Sequence, residues 1–227
     1  MKEQWCIPPQ QNASFVCAME EVLDMYEKPY NPAQPVVCFD ERPCFLIADE
    51  LDIIPAKPGQ LKRFDYTYKK CGSANVFGMF EPLRGRRDML VTERRTMPDF
   101  AHAMKHLVDV FYPRAEHVTV ILDNLATHTK AALYTTFPPQ EAQRLARKLH
   151  FVYTPKHGSW LNMVEIEFAA LAKQCLDCHI PDIELLRQKI TAWTTQRNIL
   201  KTAVHWHFTT TDARIKLQKL YPSNLSG

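Results

Sequence analysis

"VVCFDERP", residues 36–43, places four residues suited to a protein interior in a row and closes them with Asp40. A short run without polar alternation, bounded by an acid and a proline, has the pattern of a strand buried on both faces. Such a strand would deliver the Asp40 carboxylate at its C-terminal tip. "HVTVILDNLATH", residues 117–128, repeats the pattern and puts Asp123 in the same place. Strands of this kind need helices over both faces, and the surrounding segments supply them. Residues 12–27 carry Phe15, Val16, Met19, Val22, Leu23 and Tyr26 at helical steps. "PDFAHAMKHLVDVFY" has proline near its first turn and a stripe of Phe100, Met104, Leu107 and Phe111. "FDYTYKKCGSANVFGMFEP" and "DMLVTERRT" read as two strands joined by "LRGRR", and residues 45–63 as a connector. Beyond Asp123 come helical "KAALYTTF" and "QEAQRLARKL", the short strand "HFVYTP", and helices over 182–198 and 209–220. The order predicts an α/β fold, a mixed sheet flanked by helices.

A third acid follows the third buried strand. In "FVYTPKHGSWLNMVEIEFAAL", residues 151–171, Trp160, Leu161, Val164, Phe168 and Leu171 mark the inward face of a helix, and Glu165 sits at its edge. Glu167 points about 200° from Glu165 at ~100° per residue, which makes it an ordinary solvated glutamate. If the strands of Asp40 and Asp123 are sheet neighbours, the three carboxylates meet. Mg²⁺ takes oxygen ligands in near-octahedral geometry, and two ions about 3.5–4 Å apart can clamp both oxygens of a phosphoryl displacement. Each acid taken alone is equally well explained as a turn or helix cap.

With 227 residues, 46% hydrophobic and 23% charged, the chain is long enough for a sizeable core. The net charge is only +3. Residues 62–95 nevertheless hold nine cations, Lys62, Arg63, Lys69, Lys70, Arg84, Arg86, Arg87, Arg94 and Arg95, against four acids. Such an excess would attract a phosphate backbone, and a lysine-rich edge strand gives the same pattern. The sequence has no 18-residue apolar run and no signal-like N-terminus, so a cytoplasmic protein without membrane contact is expected. Seven cysteines without framework spacing read as reduced thiols, and "CLDCH" at 175–179 lacks the second ligand pair of a zinc site.

"VVCFDE", "VILDNLATH" and "TPKHGSWLNMVEIEF" closely resemble the three motif blocks of DDE transposases, in the bacterial insertion-sequence branch of the mariner-type superfamily. Blocks at the front ("KEQWCIPPQQNASFVCAMEEVLDMYEKPYNPAQPVV"), middle ("YKKCGSANVFGMFEPLRGRR") and end ("HFTTTDARIKLQKLYP") extend the resemblance over nearly the whole chain. It implies a ribonuclease-H-like catalytic fold, with Asp40, Asp123 and Glu165 as the catalytic and metal-binding acids and 41 residues between the last two. The cofactor would be two Mg²⁺ ions, with Mn²⁺ able to substitute. The reaction would be DNA cleavage at transposon ends, followed by strand transfer into target DNA. Asn124, His128 and His157 fall in the same blocks, as supporting residues and, for His157, a DNA contact.

The implied division is a helical lead-in over 1–34, the catalytic domain over 35–180, and a helical extension over 181–227. The family's helix-turn-helix module has no room before Asp40, which leaves three readings: the second frame of a split element, with a separate helix-turn-helix polypeptide from an upstream frame, a truncated copy, or a catalytic fragment. The active complex would be a homodimer on DNA, associated with the nucleoid. The competing reading is a truncated, catalytically idle copy that acts as a DNA-binding or dimerisation remnant.

Overall fold

A computed structural model describes residues 8, 10–50, 57–61 and 67–222. Five strands form one sheet in the order β3-β2-β1-β4-β5, where β1 is Val36–Asp49, β2 Tyr68–Glu81, β3 Arg86–Thr92, β4 Val118–Leu122 and β5 Leu149–Tyr153. β1, β4 and β5 run parallel, while β2 and β3 form an antiparallel meander on the far side of β1. All five residues of β4 are buried, as expected of a central strand.

Helices cover both faces. α1 (Ala13–Glu27), α5 (Val164–Gln174), α6 (Ile183–Leu200) and α7 (Thr210–Lys216) pack on one, around Met19, Cys38, Phe80, Ile121, Val164 and Ile190. α2 (Met97–His106), α3 (Ala131–Thr136) and α4 (Pro139–Lys148) pack on the other, around Val37, Phe39, Phe100, Val120, Leu133 and Leu145. The alternation along β1 sorts its side chains. Cys38 belongs to the first core, and Val37 and Phe39 to the second. Asp40 follows Cys38 by two residues and so faces α5.

Three expectations need correction. Asp40 is not at the tip of its strand, because β1 runs on to Asp49 in a long hairpin with β2. What ends near Asp40 is the parallel pairing with β4, whose last partners are Cys38 and Ile121. Past that point β1 has an open edge, where Pro43 is tolerated. Residues 45–49 are therefore strand and not connector; of the remaining connector, 51–56 and 62–63 lie outside the described residues. Glu167 is not solvated either: its side chain is 0% exposed. It does point away from Glu165, but that side of α5 meets β3 and α6 instead of water.

Candidate active site

The parallel register brings the first two acids side by side. Cys38 pairs with Ile121, and two further residues along each strand reach Asp40 and Asp123. The β5 chain then turns through "TPKHG" into α5. Thr154 donates its N–H to Leu122 O at 2.9 Å, which keeps this turn beside Asp123, and Gly158 N–H closes it on Pro155 O at 2.8 Å. His157 takes a left-handed backbone at φ 65° and is exposed on the rim. Glu165 lies in the first turn of α5, where the helix N-terminus favours an anion.

α5 lies close to the sheet because of one residue. Gly78 pairs with Asp40 across the hairpin. A Cβ added there would stand 2.8 Å from the Phe168 ring and 3.0 Å from Val164. The missing side chain lets the helix settle next to Asp40.

The acids disturb one another. Burial raises Asp40 from the usual carboxylate range to about 7, against a hydrogen bond from Glu41 N–H, and the charges of Asp123, Glu165 and Glu41 push the same way. Glu165 is raised by desolvation; Arg42 pulls it down and Asp123 pushes it up. Asp123 is held by His128, whose Nδ1 lies 2.5 Å from Oδ1, while Nε2 of the same ring lies 2.9 Å from Glu41 Oε2. Burial works against the charged imidazole, but these two carboxylates win and raise His128 to about 9. The ring sits against Phe100 and Phe39, so one buried imidazolium links β1 to the loop after β4.

Among the described residues no three His, Cys, Asp or Glu side chains are already gathered as a metal-binding group. Asp123 is turned to His128, and Asp40 accepts from Glu41 N–H at 2.8 Å. The donor chemistry nevertheless fits a hard divalent cation: Asp40, Asp123 and Glu165 offer only carboxylate oxygens, and their mutual repulsion is what a cation relieves.

Four site residues escaped the sequence reading. Glu41 anchors His128; Arg42, two residues beyond Asp40 on the same face, tempers Glu165 and donates to Phe168 O at 3.2 Å. Asn162 is buried and donates to Phe39 O at 2.9 Å, with the same nitrogen 3.5 Å from Asp40 Oδ2. Gly78 is the fourth. The i, i+2 spacing on β1 was the available signal for Arg42. Nothing in the sequence marked Asn162 or Gly78.

The expected DNA contacts do not form one patch. Lys62 and Arg63 lie outside the described residues. Lys69 and Lys70 are exposed on β2 opposite Ala48 and Ile47, at the acid-bearing end of the sheet. Arg84 and Arg86 are exposed at the turn between β2 and β3, which is the other end, and they stack on Tyr30 and Phe111. Arg87 is a correction: at 1% exposure, with its guanidinium on Glu167, it has no charge to offer a phosphate. Asn124 is exposed beside Asp123.

The sheet order and flanking helices define a ribonuclease-H-like fold, with one acid inside β1 where its pairing with β4 stops and another just past the end of β4. The family description "DDE superfamily endonuclease" matches residues 35–187, about two thirds of the chain, and the chain belongs to that family. Among solved structures, a Mos1 mariner paired-end complex with Mn superposes with a TM-score of 0.55 at 14% identity, covering 89% of this chain and 63% of that one. The Mos1 strand transfer complex gives 0.57 at 13% identity, with 89% and 62% covered. A Mos1 paired-end complex with the left transposon end gives 0.56 at 13%, with 97% and 67% covered. At such identities the likeness shows the fold, and the chain spans 62–67% of the length of these proteins. Among curated proteins none matches the chain. Among the described residues no helix is long and apolar enough to cross a membrane.

Proposed function

We propose that the chain is the catalytic region of a transposase, which hydrolyses DNA phosphodiesters at transposon ends and joins the freed 3′-hydroxyl to target DNA. The observation that carries this reading is the approach of Asp40, Asp123 and Glu165, with Asp40 raised by burial and by the charges of the other two, and the more exposed Glu165 raised by partial desolvation and by Asp123. Asp40 and Asp123 would hold divalent ions, with Glu165 completing the set. Bound Mg²⁺ or Mn²⁺ would supply charge neutralisation at the scissile phosphate and activation of water. The protein's own part is to hold the acids in register. His128 orients Asp123, and Asn162 fixes the backbone at Phe39 beside Asp40. His157, Asn124, Lys69 and Lys70 stand at the same end of the sheet as the acids, where a duplex would approach.

The finer assignment, to the bacterial insertion-sequence branch, rests on the terminal sequence blocks. Action as a homodimer on paired ends, with base reading by helix-turn-helix units and a nucleoid location, follows the same resemblance. The Mos1 complexes, named for paired ends, Mn and strand transfer, are in keeping with DNA and metal as partners.

The test is nicking of supercoiled DNA in Mg²⁺ or Mn²⁺, with EDTA as the blank. Metal-dependent nicking that disappears in Asp123→Asn is the expected result. Activity that survives EDTA, or that persists in that variant, removes the acids from the reaction.

A further inference from the structure

Two residues past Glu165, on the other side of α5, is a second buried charge cluster. Glu167 and Arg87 are 0% and 1% exposed. Arg87 Nε lies 2.8 Å from Glu167 Oε2, and Arg197 on α6 reaches the same carboxylate with Nη2 at 2.9 Å and Nε at 3.1 Å. Arg87 also donates to Thr202 O at 2.8 Å. Asn198, one residue beyond Arg197, accepts from Arg87 N–H at 2.9 Å and donates to Arg87 O at 2.8 Å. β3 is an edge of the sheet, so Asn198 satisfies backbone groups that a sixth strand would otherwise take. One carboxylate thereby ties the helix of Glu165 to both β3 and α6.

Stability does not require charge at this place. Buried ion networks are often replaceable by apolar side chains of similar volume without loss. What the forked Arg197–Glu167 pair adds is direction, because it is satisfied over a narrow range of geometry, while Arg87 holds the same carboxylate from β3 by charge. An apolar contact would let α5 turn about its axis, and turning by one residue, ~100°, would carry Glu165 off the site. On its opposite flank the helix is seated by Phe168 over Gly78. We propose that Glu167, gripped by Arg87 and Arg197, is a positioning residue that sets the rotation of α5 and thereby the approach of Glu165 to Asp40 and Asp123. This rests on the reading of those three acids as the metal site.

The measurement is Mn²⁺ binding to DNA-free protein, followed by electron paramagnetic resonance, with the melting temperature recorded for each variant. The set is wild type, Asp123→Asn, Glu167→Gln and Arg197→Lys. Positioning predicts that folded Glu167→Gln binds Mn²⁺ roughly tenfold more weakly, as loss of an outer-shell partner typically does. Arg197→Lys keeps the charge but loses the fork, and should weaken binding by a smaller factor, about threefold by the same comparison. It remains informative if Glu167→Gln fails to fold. Nicking should show the same order, with higher Mn²⁺ restoring the maximal rate of both variants. A purely structural role would lower the melting temperature and leave Mn²⁺ affinity unchanged, and that result overturns the proposal. Wild-type protein that binds no Mn²⁺, or binds it as well after Asp123→Asn, overturns the metal-site reading itself, and the positioning role with it.

Discussion

Two charge clusters flank the first turns of α5, and they are built on opposite terms. On one side Asp40, Asp123 and Glu165 converge with one histidine held at their margin and Arg42 tempering a single member. On the other side Glu167 is met by two arginines within hydrogen-bonding distance. Both clusters were assembled at the cost of desolvating ions. The second is matched by two arginines on one carboxylate, whereas in the first, among the described residues, Asp40 has no cation beside it and only Asp123 and Glu165 are offset, by His128 and Arg42. A surplus of carboxylates is tolerated where a cation can bring the missing charge, and on the proposed function this difference would separate a place for a ligand from an internal fastening.

The comparison breaks most severely where the ligand-facing acids are neutralised. Asp40→Asn, Asp123→Asn and Glu165→Gln should each cut metal-dependent nicking on the order of a thousandfold, the equivalent of about 4 kcal/mol in the barrier, with the fold intact. Plasmid nicking beside circular dichroism checks both halves of the statement.

The internal fastening should respond in stability. Glu167→Leu leaves the buried Arg87 and the partly buried Arg197 without a counter-ion and should cost about 3–5 kcal/mol in urea unfolding. The triple variant Arg87→Met, Glu167→Leu, Arg197→Met removes the charge altogether and should recover most of that loss. A triple variant as unstable as the single one would mean that the pairs themselves, and not the stranded charges, carry the energy.

Gly78→Ala attacks the seat of α5 between the two clusters. Its Cβ would meet Phe168 at 2.8 Å, and overpacking of this kind costs about 1–3 kcal/mol. Nicking should fall with it, because the displaced helix carries Glu165. Unchanged activity would show that the seat tolerates a methyl group and that α5 is set elsewhere.

A gentler probe is pH. Asp40 is raised from 3.8 to about 7, so between those values the folded chain binds more protons than the unfolded one. Stability of the metal-free protein should then decline as pH rises through that window. Asp40→Asn should flatten the decline, and Mg²⁺ should flatten it too by favouring the ionised site. Thermal melts at pH 4.5 to 7.5, with and without metal, test the sign.

The smallest effect is expected at the far end of the sheet. Arg84→Gln with Arg86→Gln should lower the salt dependence of DNA binding by at most about 0.9 in log–log slope for each phosphate no longer neutralised, without altering sequence preference. Arg87 is left out of this variant because its guanidinium is internal.

Much of the element order was legible because periodicity is local. The short apolar runs of Val36–Phe39 and Val118–Leu122, each closed by an aspartate, read as buried strands, and the stripes through α1 and α2 read as helices. The acids stood out as candidates because Asp40 and Asp123 each close such a run and all three fall in the motif blocks. The length of β1 was not, since its second half is ordered by β2 across the hairpin and not by its own pattern. Asn162 and Gly78 gave no local sign, because one acts through a carbonyl on another strand and the other through an absent side chain.

By itself the sequence determined most of the strands and helices and singled out three acids as candidates. Tertiary structure alone decided what surrounds them. Glu165 and Glu167 differ by two positions in one helix, and the helical period sends them to opposite sides, which the sequence does state. It does not state that one side opens toward Asp40 while the other closes on Arg87 and Arg197, residues 80 and 30 positions away. Whether a carboxylate is a ligand or a fastening depends on the counter-charges that distant segments bring within a few ångströms.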